Sequence, residues 1–402
     1  MKKIIQIICT AVIAFCILTI STVAAGNYLM PDDYRTVRGA APDAGKLFRV
    51  DTVGQTAGTA EKSGVGELQL LGVIPVKDVR VTVRAREKVV VCGSVFALRM
   101  FTRGVNVAEL DTVVTAQGEE RPAFDAGFMK GDVILAVNGE TPDGAESVGN
   151  RVAGSGGGAV VFTVRRAGTV ITLTLTPALE QSTGIYKAGL WLRDNTAGIG
   201  TLTFYDEKSG VFAGLGHCVS DAETGLPIEL SRGEILHASV TGLRKGGGGQ
   251  AGELTGSFYG GDILGDIRLN SDRGVYGVLT DAPEGVGEYE IALPEEIETG
   301  EAEMITSIDN DGAKSYSVEI KKIIPGSGNR NMVVHVTDTR LLAASGGIVQ
   351  GMSGSPLLQN GRLIGAVTHV LLDDSATGYA IFAKTMCDAA NSVSASLLDN
   401  AA

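Results

Sequence analysis

Apolar residues recur at every second position through Val79-Arg80-Val81-Thr82-Val83-Arg84 and again at Val133, Leu135 and Val137, the period of half-buried strands. The runs Leu68-Gln69-Leu70-Leu71-Gly72-Val73-Ile74-Pro75-Val76 and Lys88-Val89-Val90-Val91 carry the same bias. Glycine supplies 55 of the 402 residues while aromatics make up only 5%, a balance suited to short strands and tight turns. A mainly β chain of two or three domains is therefore expected.

The N-terminus adds a different element. Met1 to Lys3 form a short basic start, and Ile4 to Ala25 are uncharged and mostly apolar, about the length that crosses a bilayer. Residues 1–25 read as a signal peptide or signal anchor. Val23-Ala24-Ala25 offers small residues for a cut, whereas the length of the run favours an uncleaved anchor. In either case Lys2 and Lys3 stay in the cytoplasm and the rest is exported.

A formal net charge of -12 with no cluster of Lys and Arg argues against nucleic acid as a partner. Five cysteines without a C-x-x-C pair, and four histidines in no zinc-ligand spacing, give no reason to expect a disulfide framework or a metal site.

Residues 26–67, rich in Gly, Ala, Asp and Thr without periodicity, read as a tether, and residues 68–180 as a β-rich segment. Within the latter, Pro122-Ala123-Phe124-Asp125-Ala126-Gly127-Phe128-Met129-Lys130-Gly131-Asp132-Val133-Ile134-Leu135-Ala136-Val137-Asn138-Gly139 resembles a PDZ domain. The order is a short helix, a glycine stop, a strand and an Asn-Gly turn. The resemblance implies that Gly93, Ser94, Val95 and Phe96 open a loop that holds a peptide carboxylate beside a strand-addition edge. A PDZ-like fold without a ligand of its own is the plainer alternative. The glycine-rich stretches Gly154 to Gly158 and Gly246 to Gly249 lack a following G-K-[ST] and read as loops.

Residues 185–402 carry the chemistry. The stretch Val211-Phe212-Ala213-Gly214-Leu215-Gly216-His217-Cys218 delivers a histidine at the exit of a hairpin. Gly351-Met352-Ser353-Gly354-Ser355-Pro356, followed by an apolar hairpin to Val370, resembles the nucleophile loop of chymotrypsin-fold proteases. That resemblance implies a double β-barrel. Flanking glycines let the backbone wrap a nucleophile and aim N–H groups at one point, here those of Gly351 and Ser353 as an oxyanion hole. A serine needs a base and the base an orienting acid, which points to Ser353, His217 and, at the end of an alternating strand, Asp338. Asp221, Asp262 and Asp266 remain rivals for the acid. His237 and His335 read as structural, His369 as structural or substrate-contacting, and Cys218 as a packing residue.

Taken together, the membrane segment, the PDZ-like stretch, Gly216-His217 and Gly347-Ile348-Val349-Gln350-Gly351-Met352-Ser353-Gly354-Ser355-Pro356 resemble the stage IV sporulation protein B peptidases. The resemblance implies His217 as base, Asp338 as acid and Ser353 as nucleophile. It further implies secretion into the space between forespore and mother-cell membranes, self-cleavage, and cleavage of a membrane-associated regulator leading to sigma-factor activation. The partners are then a protein substrate at or near a membrane and a PDZ ligand, a peptide or the chain itself, with no cofactor needed. A non-catalytic PDZ scaffold and a housekeeping quality-control protease are the competing readings.

Overall fold

The structure is a computed structural model that describes residues 2–37, 40, 42, 44–52, 62–220, 225, 227–246, 249–258 and 263–401. Two compact units divide it, Met1–Glu87 and Lys88–Ala402.

In the first unit, helix α1 (Lys2–Leu29) contains an 18-residue stretch with a mean hydropathy of 2.5 and is long and apolar enough to cross a membrane. Four strands follow: β1 (Asp33–Val37), β2 (Phe48–Thr52), β3 (Lys62–Leu70) and β4 (Ile74–Arg84). They form one sheet in the order β1-β4-β3-β2, with β1 parallel to β4 and the other pairs antiparallel. Tyr34, Val50, Leu68, Val79 and Val81 close a small core. The tether expected over residues 26–67 is corrected by these strands. Two of them are only five residues long and draw their apolar partners from Leu68 onward, so no local period announces them.

The second unit holds two ladders of six strands, each returning to its first strand. One runs Val95–Leu110, Leu190–Tyr205, Val211–Gly214, Gly274–Leu279, Ile263–Ser271 and Leu230–His237, which pairs back to Val95–Leu110. The other runs Gly300–Thr306, Lys314–Ile323, Met332–Val336, Thr377–Phe382, Arg362–Val370 and Pro356–Gln359, which closes on Gly300–Thr306. Each encloses its own apolar cluster, around Phe96, Leu202, Phe212 and Ile235 in the first and Met304, Tyr316, Val334 and Val367 in the second. A C-terminal helix, Ala383–Ala401, packs Met386 and Ala390 onto a further cluster with Val91, Phe204 and Ile381.

The PDZ-like part has a separate core of Val105, Phe128, Ile134, Val148, Val160 and Phe162. In sequence it lies between the two 16-residue strands Val95–Leu110 and Leu190–Tyr205, which pair with each other and whose remote ends contribute Val105, Val107 and Leu190 to it. The two-ladder body therefore begins well before residue 185: Val89 to Met100 contribute to its cores.

Candidate active site

His217 leaves the first ladder where the strand Val211–Gly214 ends. Leu215 and Gly216 both take positive φ, 66° and 69°, and this reversal swings the imidazole off the ladder. Space at Gly216 is short, since a Cβ there would stand 2.8 Å from Thr368 Cγ2. The His217 Nδ1 lies 2.8 Å from the Cys218 carbonyl oxygen. A carbonyl only accepts, so Nδ1 carries the proton and Nε2 holds the lone pair a base needs. Burial pushes the His217 pKa below the usual imidazole value, opposed by that carbonyl, which favours the charged form.

Ser353 stands in the loop ahead of the hairpin Pro356–Gln359 and Arg362–Val370. Gly351 and Gly354 adopt φ of 97° and 95°, and a Cβ on Gly354 would run into the Thr201 carbonyl. Among the described residues, the N–H groups of Gly351 and Ser353 have no hydrogen-bond acceptor, whereas that of Gly354 donates to the Val367 carbonyl at 2.7 Å. The two free donors are those expected to receive an oxyanion.

Two residues overlooked in the sequence hold this loop. Thr201 Oγ1 donates to the Gly351 carbonyl at 2.8 Å and Thr203 Oγ1 to the Gly354 carbonyl at 2.7 Å, while the Thr201 N–H donates to the Ser353 carbonyl at 2.9 Å. Both side chains are fully buried. The only sign in the sequence is the alternation Thr201-Leu202-Thr203, which nothing local ties to a loop 150 residues further on.

His217 and Ser353 line one cavity of about 510 Å³, together with Cys218, Thr368 and His369. The rest of its wall sets aliphatic Ile199, Leu215, Ile348, Val349, Val370 and Leu372 beside Thr196, Ser220 and Gln350, and no carboxylate, Lys or Arg lines it among the described residues. The Ser353 hydroxyl donates to the Thr368 carbonyl at 3.0 Å. The His369 ring lies 5.2 Å from that of His217, centroid to centroid, and its pKa is pushed down to about 4 by burial, with His217 and Arg330 adding to the effect.

Asp338 is not brought to this cavity, which corrects its assignment as the triad acid. It caps the helix Thr339–Ser345, accepting from the N–H of Arg340 at 2.8 Å and of Leu341 at 3.3 Å, and it pairs with the Arg340 guanidinium at 2.7 Å. Arg340 above all, with backbone N–H groups, holds its pKa down at about 2. Its oxygens are thus committed to local partners, and the His217 Nδ1 is committed to Cys218. Asp266 pairs with Arg268 on an exposed strand face, and Asp221 and Asp262 lie outside the described residues.

A second correction concerns Gly93, Ser94, Val95 and Phe96. The Gly93 N–H donates to the Leu202 carbonyl, the Ser94 carbonyl accepts from the Leu202 N–H, and Val95 pairs with Thr201. Phe96 pairs with Gly200 on one side and His237 on the other and is buried in the core of the first ladder. Gly93 to Phe96 thus lead into a strand of the first ladder, engaged along Gly200 to Leu202, and do not form a carboxylate loop beside a free edge of the PDZ-like part. His237 is exposed, His335 meets Thr377 Oγ1 at 2.9 Å, and Cys218, expected to be packing only, faces the cavity. Within the glycine stretch Gly246 to Gly249, Gly247 and Gly248 lie outside the described residues.

A PDZ domain attached to two closed β ladders, with a serine loop and a histidine facing one cavity, is the build of a serine peptidase. A family model described as SpoIVB peptidase S55 matches residues 184–387, and one described as a PDZ domain matches residues 113–166. The first match spans just over half of the sequence, and the chain belongs to the SpoIVB peptidase S55 family. No curated protein matches the sequence. Among solved structures, the Rv3671c protease in its inactive form is 14% identical at a TM-score of 0.28, covering 48% of this chain and 84% of that one. The active form of the Rv3671c protease from M. tuberculosis is 15% identical at a TM-score of 0.27, covering 48% and 72%. The HtrA-type protease AlgW with decapeptide is 12% identical at a TM-score of 0.31, covering 75% and 65%. Likenesses this distant add nothing to the site.

Proposed function

We propose that the chain is a membrane-associated serine endopeptidase of limited specificity, with Ser353 as nucleophile and His217 as general base. The observation that carries this reading is the convergence of Ser353, the unengaged N–H groups of Gly351 and Ser353, and a histidine with its Nδ1 proton on a carbonyl, around one cavity. In the reaction the Ser353 hydroxyl leaves the Thr368 carbonyl and gives its proton to His217 Nε2 as Oγ attacks the scissile carbonyl. The oxyanion settles on the N–H groups of Gly351 and Ser353, and the Cys218 carbonyl, holding the Nδ1 proton, steadies the imidazolium. The protonated His217 then passes its proton to the leaving amine. The aliphatic side chains in the wall suit aliphatic residues beside the cut.

The family resemblance supports a finer reading, namely self-cleavage and cleavage of a membrane-associated regulator in sporulation signalling, in the space between forespore and mother-cell membranes, leading to sigma-factor activation. The full chain in detergent micelles, incubated beside Ser353→Ala and followed by mass spectrometry, tests the enzymatic core of this reading. Fragments in the parent alone are expected. Identical patterns in both would remove Ser353 from the chemistry.

A further inference from the structure

The first unit ends in an apolar tip that none of its described residues covers. Leu71 and Val73, in the turn between β3 and β4, are 66% and 78% exposed, and Leu47 beside them is 56% exposed. The three belong to one spot, because the Leu71 N–H donates to the Leu47 carbonyl at 2.8 Å and Leu71 and Gly72 reverse the chain with positive φ. Scattered exposed apolar residues need no explanation, but a cluster at a protruding turn does.

Where this tip stands follows from how β4 lies along α1. Arg80 pairs with Asp33 just past the helix, the Lys77 ammonium donates to the carbonyls of Met30 at 2.6 Å and Asn27 at 3.2 Å, and Val76 abuts Gly26, where a Cβ would meet Val76 Cγ1 at 3.4 Å. Descending along β4 thus means descending along α1. Three further residues at about 3.3 Å each carry the turn roughly 10 Å deeper, back towards the Ile4 to Ala25 run.

Charge agrees with this placement. Lys46 and Arg49, both exposed, flank Leu47, while Lys77, higher up, is engaged by Asp32 at 2.7 Å. Aliphatic side chains at a tip with cations at its shoulders are the composition that seats in the headgroup layer of an anionic leaflet.

We propose that the β3–β4 turn, with Leu47, Leu71 and Val73, inserts into the lipid surface of the bilayer that α1 crosses, so that the first unit is held at a fixed height and orientation rather than swinging on a single helix. The proposal rests on the reading of α1 as membrane-embedded, and its test separates the two. Trp191 is the single tryptophan of the chain. In a Trp191→Phe background, Leu71→Trp, Leu18→Trp in α1 and Val65→Trp on an exposed part of β3 away from the turn are each placed in the full chain. The proteins are reconstituted into vesicles of phosphatidylcholine and phosphatidylglycerol, with and without brominated phosphatidylcholine. The expected result is loss of emission by bromine quenching and a blue shift for Leu18→Trp and Leu71→Trp, with Val65→Trp unchanged. Quenching of Leu18→Trp alone would overturn the inserted turn while keeping the embedded helix, and would make a protein partner the cover for the tip. Quenching of neither overturns both readings. Equal quenching of Val65→Trp and Leu71→Trp would mean that the whole sheet lies on the membrane, and would overturn the specific insertion of the turn.

Discussion

The Nδ1 proton of His217 rests on the carbonyl oxygen of Cys218, 2.8 Å away and one residue further along the chain. A backbone carbonyl here fixes the tautomer as a carboxylate does elsewhere, and leaves the Nε2 lone pair for the role of base proposed for His217. It carries no full negative charge, so burial dominates and the pKa of His217 falls.

From this the pH dependence follows. Protonated His217 cannot accept the serine proton, so activity is lost as pH falls through its pKa, which lies below the ordinary imidazole value of about 6.5. The acid limb of kcat/KM against pH is expected below that value in the parent. A limb at or above it would mean that the imidazolium is stabilised by an acid.

His369 bears on stability. Its pKa, lowered to about 4 in the folded chain, means that the unfolded chain binds a proton first as pH falls. The neutral folded form is favoured above the unfolded value of about 6.5, and stability declines from there down to about 4. In denaturant titrations at stepped pH, His369→Gln is expected to flatten that decline.

Asp338→Asn is expected to cost at most about 1 kcal/mol of stability through the lost ion pair with Arg340, the amide oxygen keeping the helix cap, with kcat/KM within about threefold of the parent. The stability share of the carboxylate is present above its unfolded value of about 3.9 and is lost as pH falls towards about 2. A loss of several orders of magnitude in kcat with native stability would return Asp338 to the reaction.

Thr201→Val removes the hydroxyl that holds the Gly351 carbonyl and leaves that oxygen without its donor, a cost of about 1 kcal/mol. If the clamp sets the oxyanion geometry, kcat falls about tenfold or more while KM changes little, and Thr201→Ser restores most of it. Equal losses in Thr201→Val and Thr201→Ser would reduce Thr201 to a packing role.

The parts of the site that could be read from sequence are those whose chemistry is local. Gly351, Ser353 and Gly354 lie within four consecutive residues, and the two glycines mark backbone that a Cβ would block. Position along the chain misled for Asp338, where the following Thr339-Arg340-Leu341-Leu342 is also the signature of a capped helix. Gly93 to Phe96 has the glycine turn of a carboxylate loop, but its edges are claimed by strands more than 100 residues away. Strand order of that kind, like the clamp from Thr201 and Thr203, is set by tertiary pairing and leaves no local pattern.

The most direct test of the site is covalent labelling of the full chain in detergent micelles with a fluorophosphonate probe, with the modified residue located by mass spectrometry. The expected result is a single adduct on Ser353 that disappears in Ser353→Ala and forms far more slowly in His217→Ala. A folded parent that takes no label, or takes it on another serine, would contradict the assignment of Ser353 and His217 as nucleophile and base.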